Sequence, residues 1–329
     1  MEERSMFKSM MWLAVLAIAL VTEGGCIAGK SMQQSNRCDR ACLIEILDSY
    51  LSAVVKHDYS LAPLANDYRG TENAENVGTG EGHWKNISAL GDVQRRYADP
   101  VSGQVGYVGL IREIDNDVSI ASVRLRIKNL KVSEAEWIIA RKGMALYNPK
   151  GFVVNQPLES HNPKTSFPDR AEAIRIVNSY FNGIEQSDGK HVIVHPECYR
   201  IENGTTTVGR KPEWPVRSPD HDEPGDGISG PLSELPQSNC ISGFEYLRNT
   251  TEKVINRRFF IDEEAGMVWA NAIFKRIEGG KTRKGEVLPW LYFNENFFIE
   301  DDHIRAIYVV MHYLPPEIEV SGWPDTSSH

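Results

Sequence analysis

Positive charge is in short supply in this chain of 329 residues: 36 Lys and Arg stand against 45 Asp and Glu, for a net charge of −9. No basic stripe runs along any segment, which argues against nucleic acid as a partner. The sequence also lacks a glycine-rich phosphate loop, a serine nucleophile elbow and any His/Asp set at metal-ligand spacing. Nucleotide, acyl-enzyme and metal chemistry therefore have no motif to rest on, and neither a cofactor nor a metal is expected. Long apolar runs are missing apart from Met10 to Val21, which is too short to span a bilayer. Cysteine is sparse, at five residues.

What is present starts with that apolar run. Arg4 and Lys8 precede it and small residues follow from Gly24 to Gly29, the order of a secretory signal peptide ending near Ala28. Residues 1–28 are thus expected to be a leader and the protein to enter the secretory pathway, secreted or luminal, without stable membrane insertion. Glu23 stands where a lipoprotein site at Cys26 would need a small or apolar residue. Beyond the leader remain Cys38, Cys42, Cys198 and Cys240. An even number in an oxidising compartment favours disulfides, one at the start of the first helix and one tying the ends of a long loop. The competing zinc reading lacks a suitably spaced His pair. Sequons at Asn86, Asn203 and Asn249 mark candidate glycosylation sites.

The chain reads as one domain written twice. Ile46, Ser49, Tyr50 and Asp58 recur 130 positions on as Ile176, Ser179, Tyr180 and Asp188. Tyr68-Arg69-Gly-Thr-Glu72-Asn73 recurs as Tyr199-Arg200-Ile-Glu202-Asn203 with one residue deleted, and Arg95-Arg96 with Asp99 recurs as Arg257-Arg258 with Asp262. Such self-similarity sets the domain count at two. The resulting division is 36–145, a linker at 146–168, 169–316 with a long loop at 209–238, and a tail at 317–329.

Each copy opens with an amphipathic helix. Leu43, Ile46, Leu47, Tyr50, Leu51 and Val54 follow helical spacing in the first, as do Ala173, Ile176, Val177, Tyr180 and Ile184 over 170–186 in the second. A short helical piece is expected around Trp84. Strand-like runs follow at 93–98, 104–113, 117–128 and 131–141, and again at 253–261, 267–276, 288–299 and 303–313. Val123, Leu125 and Ile127 alternate with Arg124, Arg126 and Lys128, predicting a sheet with one face in water. Helices followed by a meander make an α+β unit. The long loop carries six prolines and no periodicity, and reads equally as a lid or as a disordered insertion.

Helices first and then a curved antiparallel sheet resembles the nuclear transport factor two-like, ketosteroid isomerase-like (SnoaL-like) cone. Cys38-Asp-Arg-Ala-Cys42, Thr71-Glu-Asn73, Gly80-Glu-Gly82 with Trp84, and Arg257-Arg258 through Asp262-Glu-Glu-Ala-Gly266 resemble a group of secreted proteins with two such cones. Within that group the chain looks like the fungal hetero-Diels–Alderases of tropolone–sesquiterpene biosynthesis. The resemblance spans residues 38–313 and implies two tandem cones. It also implies a cofactor-independent reaction in which an alcohol loses water to an ortho-quinone methide that adds to a humulene alkene. It carries over no catalytic residue.

Candidate site residues come instead from the strands. Trp290, Tyr292 and Asn294 share one face of their run, Tyr308 and His312 share a face with Ile304, Ala306 and Val310, and Trp269 shares one with Asn271. An aromatic surface with an imidazole and neutral donors suits a planar apolar polyketide or terpenoid substrate, with His312 moving the proton and Tyr292 and Asn294 donating hydrogen bonds. His83, Trp84 and Tyr107 are the corresponding candidates in the first copy. The duplicated Glu-Asn and Arg-Arg…Asp motifs are assigned to the fold, the latter as a salt bridge or hairpin brace. The same pocket would serve a non-catalytic carrier of a small hydrophobic ligand. A further reading has the repeats pack sheet to sheet as a built-in dimer, and a homodimer is the other possible assembly.

Overall fold

The computed structural model describes residues 38–154, 167–209, 239–241, 244, 250–281, 285 and 287–314. The leader, the loop from 210 to 238, the tail and the sequon at Asn249 lie outside them. In the first half, α1 (Arg40–Val55) leads through a 3-10 turn at Tyr59–Leu61 to β1 (Leu64–Glu72), β2 (Glu75–Val77) and α2 (His83–Asn86). A meander of β3 (Ile87–Asp99), β4 (Gln104–Glu113), β5 (Val118–Lys128) and β6 (Lys131–Ala140) follows. After α3 (Pro149–Val154), the second half repeats the plan. It has α4 (Arg170–Gln186), the hairpin β7 (Val194–Glu202) and β8 (Thr205–Val208), and the meander β9 (Thr251–Asp262), β10 (Met267–Arg276), β11 (Trp290–Glu300) and β12 (His303–Leu314). The two six-stranded sheets have the same order, β2-β1-β6-β5-β4-β3 and β8-β7-β12-β11-β10-β9. In each, the hairpin strand runs parallel to the last meander strand.

The helices form where their apolar spacing predicts and are closed by local chemistry. Asp39 caps α1 by accepting from Cys42 N, and Asp169 caps α4 by accepting from Glu172 N. The Cys38–Cys42 disulfide spans the first cap, and Cys198–Cys240 joins β7 to the far side of the long loop. Both bridges fit passage through an oxidising compartment, and among the described residues no helix is long and apolar enough to cross a membrane.

Strands β1, β2, β7 and β8 fall where periodicity gives no strand signal, because main-chain bonds and one Asn hold them. Asn73, at φ 50°, accepts from Ile139 N at 2.8 Å and donates its own N–H to Trp137 O at 2.9 Å. Asn203, at φ 44°, repeats this with Met311 N and Val309 O, both at 2.9 Å. The Asn of the duplicated Glu-Asn motif is therefore a clamp on the parallel strand pair, as expected of a motif that serves the fold.

Each sheet is buried on both faces. One face packs on its own helix: Leu47, Tyr50, Val105, Val123 and Trp137 belong to the first such core, and Ile176, Tyr180, Val268, Phe293 and Phe297 to the second. The other faces meet each other. Val108, Leu110, Ile120 and Ile138 from the first sheet form one cluster with Trp269, Ile273, Tyr292 and Tyr308 from the second. The sheets thus pack face to face within the chain.

Three expectations change as a result. Arg124 does not face water but is 2 % exposed in the inter-sheet layer. Its Nε donates to Glu136 Oε2 at 2.7 Å, its Nη2 to Glu134 at 2.9 Å and its Nη1 to Gln104 at 2.9 Å. Arg258 and Tyr292 of the second half donate to the other oxygen of Glu136. Burial alone would raise the Glu136 carboxyl, but Arg258 and Arg124 hold it down at about 2. Nor do the Arg pairs brace the Asp residues of their own copies. Asp99 is bound by Arg170 at 2.6 Å and accepts from Ile261 N at 3.0 Å, while Asp262 is bound by Arg40 at 2.9 Å and accepts from Ala98 N at 2.9 Å. Each Asp thus fastens its own half to the other, a reciprocal clasp of a pseudo-two-fold interface. Finally, the proline-punctuated linker is not all connection. Its α3 buries Phe152 in the inter-sheet cluster, beneath the Arg95 guanidinium at 5.1 Å.

Candidate functional site

Strand β11 has one position at odds with its face. Leu291, Phe293, Phe297 and Ile299 point into the core between sheet and α4, and alternation places Glu295 among them. The residue is 3 % exposed, and its Oε2 is buried without a hydrogen-bond partner. Burial pushes this carboxyl up to about 8, with Arg200 opposing and Glu202 adding to the rise. At neutral pH Glu295 is therefore a neutral acid. Buried polar atoms are nearly always satisfied, and an unsatisfied one beside a displaced pKa is a mark of a working site.

The internal repeat shows what stands at this place in the other copy. Tyr107 pairs with Val123 between β4 and β5, and at the matching place Ala270 pairs with Glu295 between β10 and β11. A fully buried core valine of the first half is thus an acid in the second. The neighbour changes too. Gly70 and Arg200 occupy matching positions, opposite Ala135 and Ile307. A Cβ on Gly70 would lie 2.8 Å from the Tyr68 hydroxyl, so the phenol takes up that space and reaches Tyr50 OH at 3.3 Å. The one-residue deletion in the second half puts Arg200 there instead. It donates to Tyr180 OH at 2.7 Å and lies 3.4 Å from Glu202. The second core therefore holds an acid, a cation and a phenol where the first holds a valine and two phenols. Burial raises the Tyr180 phenol, against the pull of Arg200, so it stays protonated.

The residues singled out from the sequence lie elsewhere. Trp269, Tyr292, Asn294 and Tyr308 share the predicted sheet face, with Trp290 packed against it, but that face is the inter-sheet layer rather than a ligand cavity. Tyr292 donates to Glu136 across the interface, and Asn294 donates to Asn271 at 3.1 Å, which also accepts from Trp269 Nε1 at 2.8 Å. Alternation separates the two faces of a strand; it does not say which one meets the other domain. Ile304 leaves the His312 face altogether for the helix-side core, because the register shifts between Phe298 and Ile299.

His312 lies at the edge of the interface, its Nδ1 3.3 Å from Ile139 O, in a surface cavity three residues along β12 from the Val309 that pairs with Glu295. In the first half, His83, Trp84 and Tyr107 are packed in the helix-side core. His83 stacks on Trp137 at 5.0 Å, Trp84 meets Tyr50 edge-on at 5.2 Å, and Tyr107 donates to Leu110 O at 2.8 Å. Of the described sequons, Asn86 is partly exposed. Asn203 is fully buried with its amide nitrogen bonded to Ala145 O and Met311 O, which excludes a glycan there in the folded protein.

Glu295, Arg200 and Tyr180 were not among the residues expected from the sequence. The signal was an acid at an apolar phase of the Leu291–Phe293–Phe297 face, readable once that face is taken as the inner one.

Residues 167–311 match the model of a family described as a domain of unknown function, DUF8021. The match runs from just before α4 into β12, so it takes in the whole Glu295 neighbourhood and leaves the first half outside. No curated protein matches the chain. The family description brings no activity with it, and the chemistry of the site has to speak from its own residues.

Proposed function

We propose that the chain is a cofactor-independent dehydratase or cyclase for an apolar, hydroxyl-bearing natural product, with Glu295 as its general acid. The observation that carries this is the neutral, incompletely bonded carboxyl among phenylalanines, at a place where the first half has valine. A neutral acid in apolar surroundings is suited to protonating a leaving hydroxyl at neutral pH. In the sharpest version, Glu295 gives its proton to the alcohol oxygen, the C–O bond breaks and water leaves. The carboxylate then takes the proton of the neighbouring enolic or phenolic hydroxyl, which yields the ortho-quinone methide and restores the acid. Arg200 offsets the transient negative charge. The cycloaddition onto a humulene-type alkene that follows moves no proton, so holding the two partners in reactive geometry is the protein's remaining task. The likeness to tandem-cone hetero-Diels–Alderases supports this choice of substrates.

The test incubates the full chain with a tropolone-type benzylic alcohol and a humulene alcohol. The expected result is stereoselective adduct formation above the buffer rate, reduced about 10²–10⁴-fold in Glu295→Gln and falling as pH rises through about 8. The His312→Ala variant should turn over as the parent does. An adduct with the buffer's rate and stereochemistry would sink the reading, and tight binding of either substrate without turnover would replace it with the carrier.

A further inference from the structure

A separate cavity opens where the two halves meet. It has a volume of about 310 Å³ and is lined by Glu72, Asn73, Glu75 and Arg141 of the first half and by His312 and Leu314 of the second, with Val77 and Gly82 alongside. Neither the Glu295 chemistry nor the interface packing makes use of it.

Its charges do not balance. Arg141 is the one cation among the lining residues, and it is already shared: its Nη2 donates to Glu72 Oε1 at 2.8 Å, and its Nε and Nη2 hold both oxygens of Glu113 at 2.8–3.0 Å. Burial would raise the Glu72 carboxyl, but the His83 and Arg141 contacts overrule it and hold it at about 2, so it is ionised. Glu75 is exposed at the rim. Two carboxylates thus face the cavity against one cation that is bonded to a third.

The hydrogen-bonding capacity is lopsided in the same direction. The nearest partner of His312 Nδ1 is a main-chain carbonyl, which only accepts, so the proton sits on Nδ1 and Nε2 keeps a lone pair. Glu72 Oε2 lies 3.4 Å from Nδ1 of the fully buried His83 without a hydrogen bond, and His83 Nε2 lies 3.1 Å from Tyr50 OH. Position 82 is packed too closely against that buried oxygen to carry a side chain. A Cβ on Gly82 would stand 2.8 Å from Glu72 Oε2 and 2.9 Å from Val77 Cγ1. Val77 and Leu314 supply a short apolar flank.

We propose that this inter-domain cavity is a binding site for a small primary ammonium ion. Its N–H groups go to Glu72, Glu75 and His312 Nε2 and its alkyl stem to Val77 and Leu314. An anion would meet the surplus carboxylates, and a neutral alcohol brings one donor where three acceptor side chains line the cavity. Because residues of both halves line the cavity, its occupant also bridges the two domains.

The full chain should be titrated with n-propylammonium chloride, with 1-propanol and with sodium propionate as the neutral and anionic counterparts. The His312 ring signals, assigned through His312→Phe, serve as local reporter. The ammonium ion alone should shift them, with an affinity that weakens as salt is raised. Glu75→Gln, an exposed change that leaves the core untouched, should weaken binding several-fold, and Glu72→Gln should abolish it. Equal responses to propanol or propionate, no response to any of the three, or full affinity in Glu75→Gln would each overturn the proposal.

Discussion

At the scale of single residues, Glu295 is the position where stability and chemistry pull apart. A leucine or valine there would complete the apolar face, as Val123 does in the first half. The acid instead makes stability depend on pH. Its folded value of about 8 lies above the ordinary 4.5. Below the ordinary value both folded and unfolded chains are protonated, and the group costs nothing electrostatically. Between the two values the unfolded chain ionises while the folded one does not, so stability declines by up to about 1.4 kcal/mol per pH unit and levels off once the folded carboxyl also ionises. Denaturant unfolding across this range should show that decline in the parent and a flatter profile in Glu295→Gln. Identical profiles would mean that the carboxyl is ionised in the fold. Sequence periodicity contains this residue in full view. What hides it is that alternation assigns Glu295 to a face without saying that the face is a core.

At the scale of elements, the duplicated hairpins show how much of a fold can lie outside the apolar pattern. Strands β1 and β7 have mixed, half-exposed burial and depend on the Asn73 and Asn203 clamps rather than on alternation. The repeat signals these residues, since a motif kept in both copies of one chain serves what the copies share. Helix α3 has no counterpart among the described residues and no periodicity long enough to register, yet Phe152 is 2 % exposed within the inter-sheet cluster. It acts as a plug, and Arg95 lies over both its ring and that of Tyr308. Phe152→Ala should therefore cost about 3–5 kcal/mol, the range for an aromatic removed from a core, and chemical denaturation measures it. A change below 1 kcal/mol would show α3 to be an ornament on the surface.

At the scale of the whole molecule, two copies of one fold are joined through their sheets by a polar centre in an apolar layer. Glu136 takes charge from Arg124 of its own half and Arg258 of the other. A buried ion pair adds little over a well-packed apolar substitute, but breaking one is severe because the remaining charges stay buried. Glu136→Gln takes the shared carboxylate from Arg258 and leaves Arg124 with Glu134, and should destabilise the protein by about 3–5 kcal/mol. It should do so through one transition that unfolds both halves together, detected by tryptophan fluorescence (Trp84 and Trp137 in one half, Trp269 and Trp290 in the other) alongside the far-ultraviolet circular dichroism. Two separate transitions in the parent protein would mean that the clasp of Asp99, Asp262, Arg40 and Arg170 couples the halves only weakly.

The sequence by itself determined the α+β class, the two-fold repeat, the helix-and-meander order, the two disulfide pairings and the structural role of the Asn clamps. All of these rest on local spacing or on the comparison of one copy with the other, and local spacing is written along the chain. Only the tertiary structure decided which face of each sheet meets the other domain. That choice moved Tyr292, Asn294, Trp269 and Tyr308 from an expected cavity into the interface, set His312 at a seam, and left Glu295 facing the second core. The reason is physical: a strand buried on both sides carries the same alternation whichever side the partner takes, and the partner of each sheet here lies more than a hundred residues away.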